Sequence, residues 1–218
     1  MLRFAEEILL LALDDKTGRL HALPERALEF ALAGALLAEL AFIDRLDTDT
    51  TQVFIKDAKP MGDPVLDLAL ASLPKDEPKL TIQKALARIA LKAGPIKEIL
   101  FAELIRKGIL QQREQSYLWV LRERRYPMVD DREEREVRAR IREVVLTPGE
   151  IPAPQDVILI GLMDACDLDH FVFTPEELER SAERIKQICR MDFIVQALAR
   201  AIGEIQQAIL EVIAYSGM

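Results

Sequence analysis

Cysteine and histidine are scarce in this sequence of 218 residues, which limits the chemistry that it can support. It contains two cysteines, Cys166 and Cys189, and two histidines, His21 and His170. Two cysteines in apolar helical contexts are too few for a disulfide framework, so we expect buried reduced thiols. The aspartates that precede His170 match no defined metal-site spacing, so we expect neither a metal nor another cofactor.

The sequence also lacks the short motifs that mark common catalytic and nucleotide-binding sites. It contains no G-x-S-x-G elbow, no P-loop, no G-x-G-x-x-G turn and no Cys–His pair in a nucleophile context. The turn in PMGDP suggests a phosphate cradle at first sight. However, Asp63 is placed to cap the following helix, and its carboxylate would repel an anion. We therefore expect a protein without enzymatic activity.

Long hydrophobic runs are missing as well. The longest, ALAGALLAELAFI at residues 31–43, contains Glu39 and is shorter than the roughly 20 residues that a bilayer requires. The N-terminus carries Glu6 and Glu7 and has no small-residue cleavage site, unlike a secretory signal peptide. We expect a cytoplasmic protein whose association with a membrane, if any, is peripheral.

Positive charge is in deficit overall, and it is concentrated in the middle of the chain. The formal net charge is −8, which argues against general nucleic-acid binding. Residues 75–125 nevertheless carry 12 basic and 6 acidic side chains, a local net charge of +6, between two acidic segments. A local anion-binding surface is therefore compatible with the composition.

Helical patterns account for most of what the sequence does contain. The segment PERALEFALAGALLAELAFIDRL, residues 24–46, predicts a long helix. Its small residues from Ala31 to Ala35 would let a neighbouring helix approach closely, so we predict that this helix is central. The segment VILIGLMDACDL, residues 157–168, is almost entirely apolar, which is typical of a helix buried on all sides.

Capping residues and glycines divide the rest of the chain. Asp63 and Thr174 are N-cap residues followed by proline, and each signals the start of a helix. Gly94 and Gly108 are predicted to end two consecutive helices, the second of which begins at Pro95.

Two segments have the composition of strands. TTQVFIKD, residues 50–57, predicts a short edge strand, and ILQQREQSYLWVLRERR, residues 109–125, predicts two strands around a polar turn at Arg113 to Ser116. Trp119 in this hairpin is expected to pack in the core or at an interface. We predict one domain spanning residues 1–218: mainly α, a compact helical bundle around a central buried helix, with small β-hairpins.

The segment YPMVDDREEREVRARIREVV, residues 126–145, predicts a helix with a highly charged outer surface. Its apolar side chains fall within one arc, which we expect to be the buried face: Val137, Ile141, Val144 and Val145. Glu134 with Arg138, and Glu136 with Arg140, are spaced as acid-to-base pairs one turn apart.

Three arginines of this segment, Arg135, Arg138 and Arg142, form a stripe opposite the buried face. Arg135 and Arg142 have no acidic partner in the same spacing order. Arginines along one stripe can hold a phosphate through bidentate hydrogen bonds. A solvated helix surface with internal salt bridges is the alternative interpretation.

Several motifs resemble, in order and spacing, those of the Golgi phosphoprotein 3 family: EEILLLALDDKTG, ALAGALLAELAF, PMGDPVLD, RKGIL and RRYPMVDD. The similarity covers nearly the whole chain, from about Phe4 to Arg190, and the chain is most similar to short prokaryotic members. The resemblance implies a single, mostly helical domain with small hairpins and no enzymatic activity. It also implies binding of phosphatidylinositol 4-phosphate at a membrane and adaptation of membrane-protein tails for sorting.

The resemblance implies a headgroup site as well. Eukaryotic members hold the headgroup with a Trp before the central helix, an Arg within it and two basic residues on a later helix. The corresponding positions here do not retain those residues: Pro24, Ala33, Glu136 and Ala139. The nearest basic substitutes are Arg26, Arg135 and Arg138. The membrane-inserting loop of the family corresponds to TPGEIPAP, where Ile151 is the apolar probe.

We therefore predict a peripheral-membrane or adaptor protein that attracts an anionic lipid headgroup through Arg26, Arg135, Arg138 and Arg142 and contacts the membrane through Ile151. Membrane-protein tails and a second copy of the chain are further candidate partners. Two alternatives stay open. One is a protein-interaction module without lipid binding. The other is a winged-helix DNA-binding protein, which the acidic total charge and the apolar helix PIKEILFAELIRKG disfavour.

Overall fold

The computed structural model describes residues 2–14, 17–24, 26–74, 79–117 and 121–216, and most of them are helical. The helices of this part of the chain are α1 (Phe4–Leu11), α2 (Ala27–Phe42), α3 (Pro64–Ser72), α4 (Ile82–Ala90), α5 (Ala93–Arg106), α6 (Arg132–Leu146), α7 (Pro154–Ala165), α8 (Pro175–Cys189) and α9 (Phe193–Ser216). The strands are β1 (Leu46–Thr48), β2 (Gln52–Ile55), β3 (Leu80–Thr81), β4 (Arg113–Tyr117) and β5 (Leu121–Arg125). The predicted class, mainly α with small β elements, is confirmed.

Helix α2 is the central helix, as its small residues predict. It packs against α1, α3, α4, α5, α7 and α9. A Cβ atom added at Gly34 would lie 2.5 Å from Cδ2 of Leu162 in α7, so a larger residue here would require the Leu162 side chain to move. Gly161 allows a similarly close contact between α7 and α9, because a Cβ there would lie 2.1 Å from Cγ1 of Val195. Close helix packing therefore depends on these two glycines.

The predicted caps are present. The carboxylate of Asp63 accepts hydrogen bonds from the backbone N–H groups of Val65 and Leu66, both at 3.2 Å. The Thr174 hydroxyl accepts from the N–H of Glu177, and the Glu177 carboxylate accepts from the N–H of Thr174, which is the reciprocal capping box. Both caps can be predicted from the local sequence alone.

The prediction that residues 50–57 form an edge strand is wrong. Strand β2 is the middle strand of a three-stranded antiparallel sheet with the order β1-β2-β3. The second neighbour, β3, is a two-residue strand from Leu80 to Thr81, which is too short to be recognised in the sequence. Strands β4 and β5 form a separate antiparallel hairpin, as predicted.

Two predicted boundaries near this hairpin are wrong. Helix α4 ends at Ala90, and α5 begins at Ala93, so Gly94 lies inside the first turn of α5 rather than ending α4. The residues predicted to form the hairpin turn, Arg113 to Ser116, belong to β4. Trp119 lies outside the described residues. Gly108, by contrast, follows α5 with φ +75°, as expected for a residue that ends a helix.

The buried apolar side chains form one core around α2 and α7. Cys166 is buried within it and Cys189 is half-buried, and both are free thiols. Burial raises the pKa of Cys189 to about 12, so this thiol stays protonated at neutral pH. None of the helices in the described part of the chain combines the length and the apolarity that crossing a bilayer requires.

Candidate functional site

Helix α6 presents its predicted apolar face to the core, where it packs against α1, α7 and α8. The buried side chains on this face are Val137, Ile141, Val144 and Val145. Of the three arginines predicted to lie opposite this face, Arg138 and Arg142 are instead half-buried at its border, with side chains 23% and 34% exposed, whereas Arg135 is 67% exposed. Their partners decide whether this helix can receive an anion.

Arg138 and Arg142 are bonded to carboxylates. Arg138 pairs with Glu134, as predicted, and also donates to the carbonyl of Phe171. Arg142 forms a bidentate pair with Glu177, with N–O distances of 2.6 and 2.8 Å, and donates to the carbonyl of Val172 at 2.8 Å. The Arg142 guanidinium, together with the capping bond from Thr174, lowers the pKa of Glu177 to about 2.

The other two predicted headgroup ligands are also paired. Arg135 donates to Asp131 at 2.7 Å, and Arg26 donates to Glu29 at 2.7 Å. The expectation that Arg135 has no acidic partner at the one-turn spacing is therefore wrong, because Asp131 lies four residues before it. Arg142 has no acid at that spacing, and its partner comes from α8. Arg26 makes its contacts within α2, where its guanidinium also lies 5.0 Å from the centre of the Phe30 ring. The described contacts do not join Arg26 to the stripe on α6.

Arg140 has a structural role that its sequence neighbours do not show. Its guanidinium donates to Asp156 at 2.6 Å and to Glu7 at 3.1 Å, and both carboxylates are buried. The predicted pair with Glu136 is not formed, because Arg140 instead joins α6 to α1 and α7. Burial raises the pKa of Glu7, and the Arg140 charge opposes that effect.

Ile151 lies in the loop between α6 and α7 and is 85% exposed. An apolar side chain that is so exposed is available for contact with another surface. Gly149, two residues earlier, has φ +82°, a conformation that favours glycine. The loop borders a cleft of about 550 Å³ between α6 and α8, which we call the α8 cleft.

The α8 cleft has one apolar and one polar wall. The first wall comes from the end of α6 and the loop, and the second from one face of α8. Its described lining residues are Val145, Leu146, Pro148, Gly149, Arg180, Ser181, Arg184 and Gln187. Arg184 donates to the carbonyls of Val144 and Glu150, which ties the loop to α8.

A second cleft, of about 270 Å³, lies at the base of the β4–β5 hairpin and is called the hairpin cleft here. Its described lining residues are Gly18, Arg19, Leu20, Phe101, Arg124 and Tyr126. The ring of Phe101 stacks on that of Tyr126 with a centroid distance of 3.6 Å. The N–H of Tyr126 donates to the carbonyl of Gly18 at 2.8 Å. A Cβ at Gly18 would lie 2.3 Å from the backbone nitrogen of Pro127, so a larger residue would not fit.

Arg124, Lys97 and the cations at the junction of α4 and α5 differ in their pairing from the arginines of α6. The Arg124 side chain is 60% exposed and lies 3.7 Å from that of Glu98, which is 73% exposed. Lys97 precedes Phe101 by one helical turn and therefore lies on the same side of α5. Among the described residues, no ion pair involves Lys97 or, at the junction of α4 and α5, Arg88 and Lys92. In the sequence, this surface is indicated by the local net charge of +6 in residues 75–125 and not by the arginine stripe of α6.

The acidic residues near His170 give no sign of a metal centre. Across the described residues, three or more His, Cys, Asp or Glu side chains nowhere come together as metal ligands would. Burial raises the pKa values of Asp164 and Asp169, and Asp167 adds to that effect. We find no arrangement of acid, base and nucleophile at these positions.

The comparison with known proteins agrees with this fold. The family model for Golgi phosphoprotein 3 (GPP34) matches residues 4–205, which is nearly the whole chain. No curated protein sequence matches the chain. Because the family match extends from α1 into α9 and includes both clefts, the chain belongs to the Golgi phosphoprotein 3 family.

Proposed function

We propose that this protein is a non-enzymatic peripheral-membrane adaptor that binds a phosphorylated lipid headgroup, such as phosphatidylinositol 4-phosphate, at the hairpin cleft. Family membership supports the general role. The observation that carries the location is the contrast in charge pairing. Lys92 and Lys97 at the start of α5 have no ion-pair partner among the described residues, and Arg124 contacts only the exposed Glu98, whereas the arginines of α6 are bonded to carboxylates.

A headgroup bound at α6 would compete with the carboxylates that are already bonded to the arginines of this helix. The pair between Arg142 and Glu177 is bidentate, and a phosphate would have to displace both of its hydrogen bonds. Arg138 shares a half-buried pair with Glu134, whose side chain is 2% exposed, so separating them would leave a buried charge. Lipid binding by Arg26, Arg135, Arg138 and Arg142 stays a prediction, and we favour the other surface.

The hairpin cleft has suitable chemistry for a phosphorylated headgroup. Arg19 and Arg124 line it, and arginine is suited to bidentate contacts with phosphate oxygens. Lys97 adds a third positive charge on the adjoining side of α5. Each basic residue near an anionic leaflet contributes about 1 kcal/mol, so this surface supports weak and reversible attachment. Leu91, which is 70% exposed beside Lys92, would add up to about 2 kcal/mol if it entered the bilayer.

Vesicle co-sedimentation tests the proposal. We expect the protein to sediment with phosphatidylcholine vesicles that contain phosphatidylinositol 4-phosphate, to do so less at high salt, and to stay in solution with phosphatidylcholine alone. A phosphatidylserine vesicle of matched charge separates headgroup recognition from general electrostatic attraction. Trp119 is the single tryptophan of the chain, so its fluorescence gives an independent signal of binding.

A matched pair of variants tests the location. Arg124→Glu with Lys97→Glu should abolish binding, whereas Arg132→Glu with Arg135→Glu, which makes the same charge change on α6, should retain most of it. The two α6 residues are 81% and 67% exposed, so their replacement should not unfold the protein. Equal losses in both variants would contradict the location. A lack of binding by the natural protein to both anionic vesicles would contradict the function itself.

Two competing functions give different results in the same assays. A protein-interaction module without lipid binding would ignore vesicle composition. The order α4, α5 and β4–β5 hairpin does match the helix–helix–hairpin pattern that suggested a DNA-binding protein. That alternative predicts a salt-sensitive electrophoretic shift with duplex DNA, which we do not expect at a net charge of −8.

A further inference from the structure

We propose that the α8 cleft binds an acidic, apolar peptide segment of a partner protein. Its role as a client site rests on the proposed adaptor function, whereas peptide binding itself can be tested without lipid. The cleft volume of about 550 Å³ lies within the range of pockets that enclose most of a small ligand or a few residues of a chain.

The cleft lining indicates the sign of the partner's charge. Two of its described lining residues, Arg180 and Arg184, are cationic and none is acidic. Arg180 is exposed, and no ion pair among the described residues joins it to a carboxylate. The nearby Glu177 carboxylate has both of its oxygens bonded to Arg142. A carboxylate from a partner would therefore meet a guanidinium that forms no ion pair among the described residues.

The shape of the polar wall favours an elongated partner. Arg180, Arg184 and Gln187 are spaced by four and three residues, so they form one stripe along α8. Met191, two residues after the end of α8, is 55% exposed. A segment along this stripe would meet the positive charges of Arg180 and Arg184 first and the amide of Gln187 last.

The opposite side of the cleft supplies apolar contacts. Val145 and Leu146 end α6, and Pro148 follows them in the loop. Ile151 in the same loop is 85% exposed. An apolar residue of the partner, placed next to its acidic residue, would cover this surface while the acid contacts Arg180. Alternation of acidic and apolar residues in an extended peptide meets both requirements.

The α8 cleft is built on different elements from the hairpin cleft. Helix α8 packs against α6 and α7, whereas α5 packs against α1, α2 and α3. A protein attached to a membrane through the start of α5 and the hairpin base would therefore use other helices for its partner. This separation favours a peptide over a second lipid contact as the occupant.

Fluorescence anisotropy with a fluorescein-labelled peptide of alternating Glu and Leu tests the proposal in solution. The full-length protein should bind this peptide and should not bind a matched peptide of alternating Lys and Leu. Arg180→Glu should weaken binding by about tenfold or more, because it reverses a charge in the cleft that forms no ion pair among the described residues. Gln187→Glu, which introduces a carboxylate into the same stripe, should weaken it as well.

Lys186→Glu is the matched control on the same helix. Lys186 is 58% exposed and is not among the residues that line the cleft. Its replacement should change the affinity by less than about twofold, because a surface charge outside the site is screened by solvent. Equal binding of both peptides, or equal effects of Arg180→Glu and Lys186→Glu, would overturn the proposal. So would an Arg180→Glu variant that keeps peptide affinity but loses vesicle binding, which would make the cleft a lipid site.

Discussion

Helix α6 and the surface from the end of α4 to the first turns of α5 both carry cations, but the two regions use them differently. All five arginines of α6 are bonded to carboxylates. Arg88, Lys92 and Lys97 of α4 and α5 have no such partner among the described residues. The number of positive charges on a helix therefore does not give the number that lack an acidic partner. The acids that the fold brings to the helix decide that number.

Substitution of Arg140 is expected to have the largest effect on stability. Arg140→Met would leave Glu7 and Asp156 buried without their shared partner, so we expect the free energy of unfolding at neutral pH to fall by about 3 kcal/mol. Burial already raises the pKa of Glu7, and loss of the arginine would raise it further. Protonated Glu7 tolerates burial, so the cost should shrink as the pH falls. Urea denaturation at several pH values measures this.

Arg135→Met provides the control on the same helix. The side chains of Arg135 and Asp131 are 67% and 55% exposed, and such a surface pair contributes less than about 0.5 kcal/mol. If Arg140→Met proved no more damaging than Arg135→Met, the arginines of α6 would not have the structural role that separates them from the cations of α5.

Glu39 is an acid whose negative charge is only partly balanced by its neighbours. One of its carboxylate oxygens is buried without a hydrogen-bond partner in the described structure. Burial raises its pKa from 4.5 to about 7, while Arg3 and the N–H of Phe4 oppose this shift. The folded protein therefore binds this proton more tightly than the unfolded chain, and the contribution of Glu39 to stability falls as pH rises from about 4.5 to about 7.

Glu39→Gln should remove that pH dependence. We expect the variant to gain about 1–2 kcal/mol at pH values above 7 and to gain little near pH 4, where the natural carboxyl is already neutral. Glu136→Gln on the exposed surface of α6 is the control, and it should not change the pH profile. A natural protein whose stability rose steadily from pH 5 to pH 8 would argue against this account of Glu39.

The smallest expected effects concern single cations at the junction of α4 and α5. Arg88→Ala and Lys92→Ala should each weaken binding to anionic vesicles by about fivefold, which corresponds to about 1 kcal/mol per basic residue. Neither should change the unfolding free energy by more than about 0.5 kcal/mol, since both side chains are on the surface. Arg132→Ala, on α6, should leave vesicle binding unchanged. If Arg132→Ala weakened binding as much as the other two variants, the two regions would not differ.

Features of the fold that depend on local chemistry could be predicted from the sequence. The caps at Asp63 and Thr174, the close packing at Gly34 and the buried face of α6 all follow from short spacings. The position of β2 could not be predicted, because its second neighbour comes from a two-residue strand about 30 residues later. The sequence predicts the end of α4 too late, because the chain turns at Leu91 and Lys92, before Gly94.

The candidate site was less predictable, because the partners of long side chains are set by tertiary structure. The pair of Glu134 with Arg138 could be predicted, because the two residues are four positions apart. Arg142 reaches Glu177, 35 residues away, and Arg140 reaches Glu7, 133 residues away. No periodicity on α6 contains that information. The local excess of basic residues in the middle of the chain includes Arg88, Lys92 and Lys97, which form no ion pair among the described residues.

The most direct test of this account is a titration of the arginine side chains with a soluble headgroup. Nε–Hε signals of ¹⁵N-labelled protein, assigned by single arginine-to-lysine variants, would be followed as glycerophosphoinositol 4-phosphate is added. We predict that the Arg124 signal shifts in a saturable way while those of Arg138 and Arg142 stay in place. Saturable shifts of Arg138 and Arg142 with an unchanged Arg124 would contradict the account and return the headgroup to α6.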